Sequence, residues 1–248
     1  HVDNSISTPV PFIQNNIDST LHILEYARQL SNLEKFIYFS TDEVYGSAPV
    51  GKYYKEGDRF NCGNPYSASK AAAECICQAY SNTYNMPIIV TNTMNVIGQR
   101  QHPEKFVPKV IKKVLNEEVV TIHSNQEKTK AGSRFYIHAR NIADALLHIL
   151  YNCEEVLDNY DAAAGKFNIV GEKETDNLQL AQLIADNLGK ELKYEMVDFH
   201  SQRPGHDLRY AMDGQKMKDL GWIHPIPFEE SLSDTIEWTL KRKEWLEI

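Results

Sequence analysis

Cysteine is scarce in this sequence of 248 residues: the four, Cys62, Cys75, Cys77 and Cys153, form no Cys-x-x-Cys pair and have no histidines at metal-ligand spacing. That pattern indicates neither a zinc site nor a disulfide framework, and reduced thiols in a cytosolic protein are its simplest reading. Basic residues are short as well, with 26 Lys and Arg against 34 Asp and Glu for a net charge of −8. Such a balance weighs against a nucleic-acid surface, since phosphate binding needs local positive charge; a small anion held by a few converging cations is still compatible with it. No apolar run approaches the ~20 residues that a membrane helix needs. No leader pattern, internal repeat or low-complexity tract is visible. The first residue is His1 rather than Met, which leads to the expectation that the natural N-terminus lies further upstream.

What is present is the material of a sizeable core: 42% hydrophobic and 10% aromatic residues, enough for one domain or two lobes. After Pro9 and Pro11, apolar residues at Phe12, Ile13, Ile17, Leu21, Leu24 and Ala27 follow a 3.6-residue period and predict a helix over 12–30. A strand over 34–40, a Gly-containing polar loop, a helix over 66–84 and an apolar strand over 87–91 come next. This alternation with short connections predicts a parallel sheet with helices on both faces, whose chemistry collects at the carboxyl ends of the strands. Further on, helices are predicted over 104–116, 139–152, 176–188 and 228–246, and strands over 118–123 and 166–170. The stretch 196–212 has little periodicity and reads as a loop.

The strand carrying Phe36-Ile37-Tyr38-Phe39 runs into Thr41, Asp42 and Glu43, two consecutive acids at a strand mouth. Read alone, they make a solvated turn. Downstream stands Tyr66-Ser-Ala-Ser-Lys70, and in a helix positions i and i+4 share a face, so phenol and ammonium can point into one cleft. A cation at that distance favours the phenolate and lowers a tyrosine pKa from its reference of about 10. Taken alone this spacing usually marks an exposed helix; its functional reading is that Lys70 makes Tyr66 a base usable near neutrality.

With "HVDNSI" at 1–6, "STDEVYG" at 40–46, "NPYSASKAAAE" at 64–74, "HPEKFVP" at 102–108, "FYIHARNIADAL" at 135–146, "FNIVG" at 167–171 and "RPGHDLRYAMD" at 203–213, the chain resembles the extended short-chain dehydrogenase/reductases, and within them the nucleotide-sugar 4,6-dehydratases. The resemblance implies a Rossmann-type doubly wound parallel sheet with a smaller α/β substrate-binding lobe, NAD as cofactor and a nucleotide-diphosphate sugar as substrate. It implies that Tyr66 takes the proton of the sugar C4 hydroxyl, that Thr41 holds that oxygen, and that Lys70 tunes Tyr66 and grips the nicotinamide ribose. Glu43 is then the base that removes the C5 proton and Asp42 the acid that protonates the departing C6 hydroxyl, two roles that need two carboxyls. By the same resemblance Lys105, Arg134, Arg203 and His206 line the diphosphate site, Asn95 and Asn168 hydrogen-bond the sugar or diphosphate, and Asn95 also lies at the cofactor; no metal is implied. A homodimer through the helices at 12–30 and 66–84 is expected, in the cytoplasm.

The sequence departs from that pattern in two ways. No Gly-x-x-Gly-x-x-Gly turn for a dinucleotide pyrophosphate occurs, so the expectation is a chain that lacks this segment and is inactive alone. Around the sugar nucleotide, "NTMNVIG" at 92–98 and the long segment 123–134 differ from common members, which leaves base and hexose open. The expected division is 1–98 with 137–170 for the nucleotide-binding domain, and 99–136 with 171–248 for the second lobe. Two alternatives stay beside the dehydratase: a 4-epimerase or decarboxylase, which the acid pair argues against, and a non-catalytic sugar-nucleotide-binding protein.

Overall fold

The computed structural model describes residues 2–199 and 208–247. In chain order the elements are α1 (Val2–Ser7), α2 (Pro9–Ala27), β1 (Phe36–Thr41), a single 3-10 turn (Asp42–Tyr45), α3 (Pro65–Tyr84), β2 (Ile88–Thr93), β3 (Asn95–Ile97), α4 (Phe106–Leu115), β4 (Val120–Ser124), β5 (Ser133–His138), α5 (Ala139–Asn152), β6 (Lys166–Ile169), β7 (Glu174–Asp176), α6 (Asn177–Leu188), β8 (Tyr194–Asp198), α7 (Gln215–Asp219) and α8 (Phe228–Lys241). The fold is α/β with parallel pairing, as the alternation predicts. The chain divides into two compact units, one of His1–Met94, Ala145–Val170 and Gly205–Ile223, the other of Asn95–Asp144, Gly171–Pro204 and His224–Ile248.

The first unit is built on a three-stranded parallel sheet in the order β1-β2-β6, in which Ser40, Asn92 and Asn168 stand in register and Thr41 lies level with Thr93. Helices α2 and α3 pack together, and Leu24, Ala27, Cys77, Met86, Ile88 and Val90 form the buried cluster beneath them. Helix α3 starts where it does for local reasons. Asn64 accepts a hydrogen bond from Ser67 N at 2.9 Å, Ser67 bonds back to the Asn64 amide at 3.2 Å, and Pro65 fills the first helical position, where no N–H is needed. It ends at Asn85 in the left-handed region, with φ of 52°.

The second unit holds the parallel pair β4-β8 and the set β3-β5-β7, in which β5 runs parallel to β3 and antiparallel to β7. Its core draws Val110 and Ile111 from α4, Leu180 and Ile184 from α6, and Leu232 and Ile236 from α8. Asp176 caps α6 by accepting from Gln179 N at 2.8 Å, and Gly189 closes it with φ of 63°.

Three expectations change. Residues 196–212 are not loop throughout, since β8 runs to Asp198 and pairs with β4. The segment through 208–223 belongs to the first unit rather than the second: Ala48 N bonds to Arg209 O at 2.9 Å, Tyr54 pairs with Met212, and Tyr210, Ala211, Met212 and Met217 are buried. The last helix stops at Lys241 and gives way to a 3-10 turn over Lys243–Glu247, with Leu246 buried.

Charge is buried inside the first unit. Glu74 on α3 is 3% exposed and pairs with Lys166 of β6 at 3.1 Å, while Ser40 and Asn92 both donate to its other oxygen, Asn92 at 2.9 Å. The ammonium also lies 4.7 Å above the Phe60 ring. Removing one partner of such a pair leaves a naked charge, so Lys166→Ala is expected to cost about 3–5 kcal/mol in urea unfolding. The double replacement Glu74→Leu with Lys166→Met should cost well below the sum of its single changes.

Candidate active site

The sequence predicts one cluster at the mouth of β1, and the backbone builds it in a few steps. Thr41 is the last residue of the strand and Asp42–Tyr45 curl into the 3-10 turn, because the Thr41 hydroxyl accepts from Glu43 N at 3.3 Å. Gly46 then takes the chain away with φ of 73°, and a Cβ there would stand 2.2 Å from the Asn61 carbonyl oxygen, so glycine is required. Thr41 and Asp42 are both buried, and the Thr41 hydroxyl donates to Asp42 Oδ1 at 3.0 Å. Glu43 is half-buried; its Oε2 accepts from Asn64 Nδ2 at 3.0 Å and from the Tyr210 hydroxyl at 3.4 Å.

Tyr66 enters from the first turn of α3. Its amide donates to Ser5 Oγ of α1 at 3.2 Å, and its phenol is electrostatically coupled to Thr41, Glu43 and Asp42. Thr41, Asp42, Glu43 and Tyr66 therefore form one electrostatically coupled group, as the sequence predicts. Lys70 does not complete it in the expected way. Its ammonium donates to the Phe39 carbonyl and sits 4.3 Å from the centre of the Tyr38 ring, with burial lowering its pKa. Tyr66 is correspondingly not depressed: burial first, and the Glu43 charge next, push its phenol up to about 12, with the Thr41 hydrogen bond opposing them. The expectation of a lysine-lowered tyrosine is corrected on this point, because the ammonium is engaged by a carbonyl and a ring face.

The remaining predicted residues divide by burial. Asn168 is fully buried, with Oδ1 accepting from the Tyr45 hydroxyl at 3.2 Å, Nδ2 donating to Tyr54 O at 3.1 Å, and its amide donating to Glu56 at 3.0 Å. It holds the loop after the turn to the sheet, which corrects its assignment to a ligand. In the second unit Asn95 is exposed on β3, Lys105 is exposed at the start of α4 beside Glu104, and Arg134 is buried on β5, donating to Ser133 O at 2.6 Å. Arg203 and His206 lie outside the described residues.

Sequence reasoning missed Asn64, Tyr210, Asn92, Glu74 and Lys166, all of which touch the cluster or its support. Asn64 alone carried a signal, an Asn before Pro at a helix start. Arg209 was missed too; it donates to Pro49 O and Lys52 O at 2.9 and 2.8 Å and so folds the loop that follows the turn.

A parallel strand ending in Thr and two acids, faced by Tyr and Lys one turn apart on the next helix, is the site of an extended short-chain dehydrogenase/reductase. The family profile described as GDP-mannose 4,6 dehydratase matches residues 1–235, and the chain belongs to that family. It is 35% identical over 272 residues to the dTDP-glucose 4,6-dehydratase of Escherichia coli, an alignment covering 99% of this chain and 72% of that one. Its fold matches a dTDP-glucose 4,6-dehydratase from Streptomyces venezuelae crystallised with NAD, with a TM-score of 0.85 and 29% identity over 100% of this chain and 72% of the other. It matches equally a UDP-glucose 4-epimerase from Thermus thermophilus in complex with NAD, with a TM-score of 0.86 and 25% identity over 97% of this chain and 75% of that one. The chain spans 35% to 72% of the length of the curated relatives compared with it.

The raised phenol makes a pH prediction. A tyrosine with its folded pKa near 12, against 10.0 in the open, stabilises the fold fully below pH 10, and that contribution is lost as pH rises toward 12. Tyr66→Phe should therefore lose stability less steeply than wild type over that window in thermal melts. Parallel curves would show that the phenol ionises as freely as an exposed one.

Proposed function

We propose that the chain carries the reacting groups of an NAD-dependent nucleotide-sugar 4,6-dehydratase, acting on a dTDP- or UDP-glucose-like substrate to give the 4-keto-6-deoxy sugar nucleotide. The observation that carries this reading is the pair Asp42 and Glu43, held with Thr41 and Tyr66 in one cluster. Fold alone does not decide, since an epimerase superposes as well as a dehydratase. Oxidation at C4 needs one base, whereas removal of water across C5 and C6 needs a further base and an acid, and the two carboxyls supply that surplus.

The donor set fits the nicotinamide-ribose end of NAD, with a hydroxyl from Tyr66 and an ammonium from Lys70 on one helix face; residues 1–248 hold no Gly-x-x-Gly-x-x-Gly turn for its phosphates. Tyr66 and Lys70 would hold the nicotinamide ribose, and bound NAD would supply the hydride acceptor for C4 and the hydride donor for C6. Thr41 orients the C4 oxygen and Tyr66 takes its proton. For that, Lys70 has to leave the Phe39 carbonyl and approach the phenol, since the phenol is otherwise held protonated. With a ketone at C4 the C5 proton is acidic, and Glu43 removes it while Asp42 gives a proton to the C6 hydroxyl, which leaves as water; as hydride adds at C6, Glu43 gives a proton back to C5. Arg134, Lys105, Arg203 and His206 are the cations this reading assigns to the diphosphate, with Asn95 at the sugar or cofactor.

We further assign the protein to the cytoplasm as a homodimer through α2 and α3; Ile23 and Tyr26 on α2 are 56% and 66% exposed, which suits a covered face. Because the phosphate-cradling turn is lacking, the 248-residue chain by itself should bind NAD⁺ weakly in calorimetry, and tight binding would overturn that part of the reading.

The deciding experiment incubates the natural full-length protein with dTDP-glucose in D₂O, scoring deuterium at C5 and loss of one water separately. Asp42→Asn should keep C4 oxidation and C5 exchange while water loss slows by about 10²–10⁴-fold, and Glu43→Gln should suppress the exchange itself. Normal product from both variants would sink the dehydratase assignment; a 4-epimer with no loss of water would favour the second reading.

A further inference from the structure

We propose that Asn64 is a positioning residue that fixes the Glu43 carboxylate to the same helix cap that places Tyr66, so that the two proton acceptors are set by one side chain. Asn64 is 7% exposed. Its Oδ1 accepts from Ser67 N at 2.9 Å, as a helix cap, and its Nδ2 donates to Glu43 Oε2 at 3.0 Å. Both ends of the amide are thereby assigned: an N–H faces the oxygen, and a carboxylate oxygen faces the NH₂. Among the favoured cap residues, Asp has no donor, and Ser or Thr has one short hydroxyl for both tasks. Asparagine is the residue that can cap and grip at once.

The consequence is geometric. Glu43 sits on the turn after β1, and Tyr66 lies two residues past the cap. A hydrogen bond to the charged form of a carboxylate is both stronger and more directional than one between neutral groups. The Tyr210 hydroxyl, 3.4 Å from the same oxygen, is a second and longer support. In the dehydratase reading, on which the catalytic part of this inference rests, the phenol serves the C4 oxygen and the carboxylate serves the adjoining C5, so both have to reach one sugar ring at the same time.

Asn64→Asp and Asn64→Ser keep a good helix cap and remove the donor to Glu43, Asp adding a like charge as well. The first measurement needs no substrate: the Glu43 carboxyl is titrated by carbon NMR in the 248-residue chain, with its signal assigned by its loss in Glu43→Gln. Asp42 precedes Glu43 on the same turn, Tyr66 from α3 is coupled to both, and the Tyr210 hydroxyl bonds Glu43 Oε2; all three are the same in every variant. The midpoint should rise by about one pH unit or more in Asn64→Asp and by less in Asn64→Ser. An unmoved midpoint in a folded variant overturns the contact; if Asn64→Asp does not fold, Asn64→Ser carries the measurement. The second uses full-length protein with NAD⁺ and dTDP-glucose in D₂O, where C5 exchange should fall about tenfold or more while single-turnover C4 oxidation changes by less than about threefold. An equal fall in both steps would mean that Asn64 only starts the helix. Wild-type protein that does not oxidise dTDP-glucose would defeat the function proposed above, with the titration still deciding the contact.

Discussion

A buried carboxylate on α3 ties that helix to the sheet whose first strand carries the site. Glu74 joins α3 to all three strands of its sheet, taking hydrogen bonds from Ser40 on β1 and Asn92 on β2 and an ion pair from Lys166 on β6. Asn92 uses the same NH₂ to reach Thr41 O at 3.2 Å. Helix α3 carries Tyr66 and strand β1 carries Thr41, so this polar junction ties together the two elements that bear the phenol and the hydroxyl. An apolar junction would pack as tightly and leave the helix free to slide, since dispersion contacts have little directional preference.

The row Ser40, Asn92, Asn168 shows how far that logic extends along the sheet. Strand register places the three side by side, and each is used: Ser40 on Glu74, Asn92 on Glu74 and Thr41 O, Asn168 on Tyr45 and Tyr54. Stacking of Tyr45 on Tyr54 at 5.6 Å passes the constraint into the loop that Arg209 folds. Polar groups at these strand ends would be a burden if unpaired, and pairing converts them into supports for the turn that carries Asp42 and Glu43.

What was legible in the sequence follows from what local patterns encode. The long helices and the β1 and β2 strands came through because their apolar period or continuous run is set by one buried face. Strand β3, with three residues, and β7, with three, are too short to show any period, and they exist because β5 pairs with both. The cluster Thr41, Asp42, Glu43 and Tyr66 was legible as a motif. The direction of Lys70 was not, since i,i+4 spacing puts two residues on one face without saying which neighbour each will bond. Asn168 misled for a related reason: an amide that reads as a ligand group in a motif serves equally as a buried brace, and only its burial separates the two.

The electrostatics of the cluster at the mouth of β1 favour a protonated phenol. With Glu43 and Asp42 beside it and Lys70 turned to a carbonyl, the Tyr66 phenol has every neighbour except Thr41 favouring its proton. A phenolate here would place negative charge beside the Asp42 and Glu43 carboxyls in a buried pocket, which burial and their proximity disfavour. Keeping the phenol protonated, with the ammonium on Phe39 O, avoids that cost. The cap at Asn64 and the brace at Glu74 tie Glu43 and helix α3 to their neighbours through directional bonds.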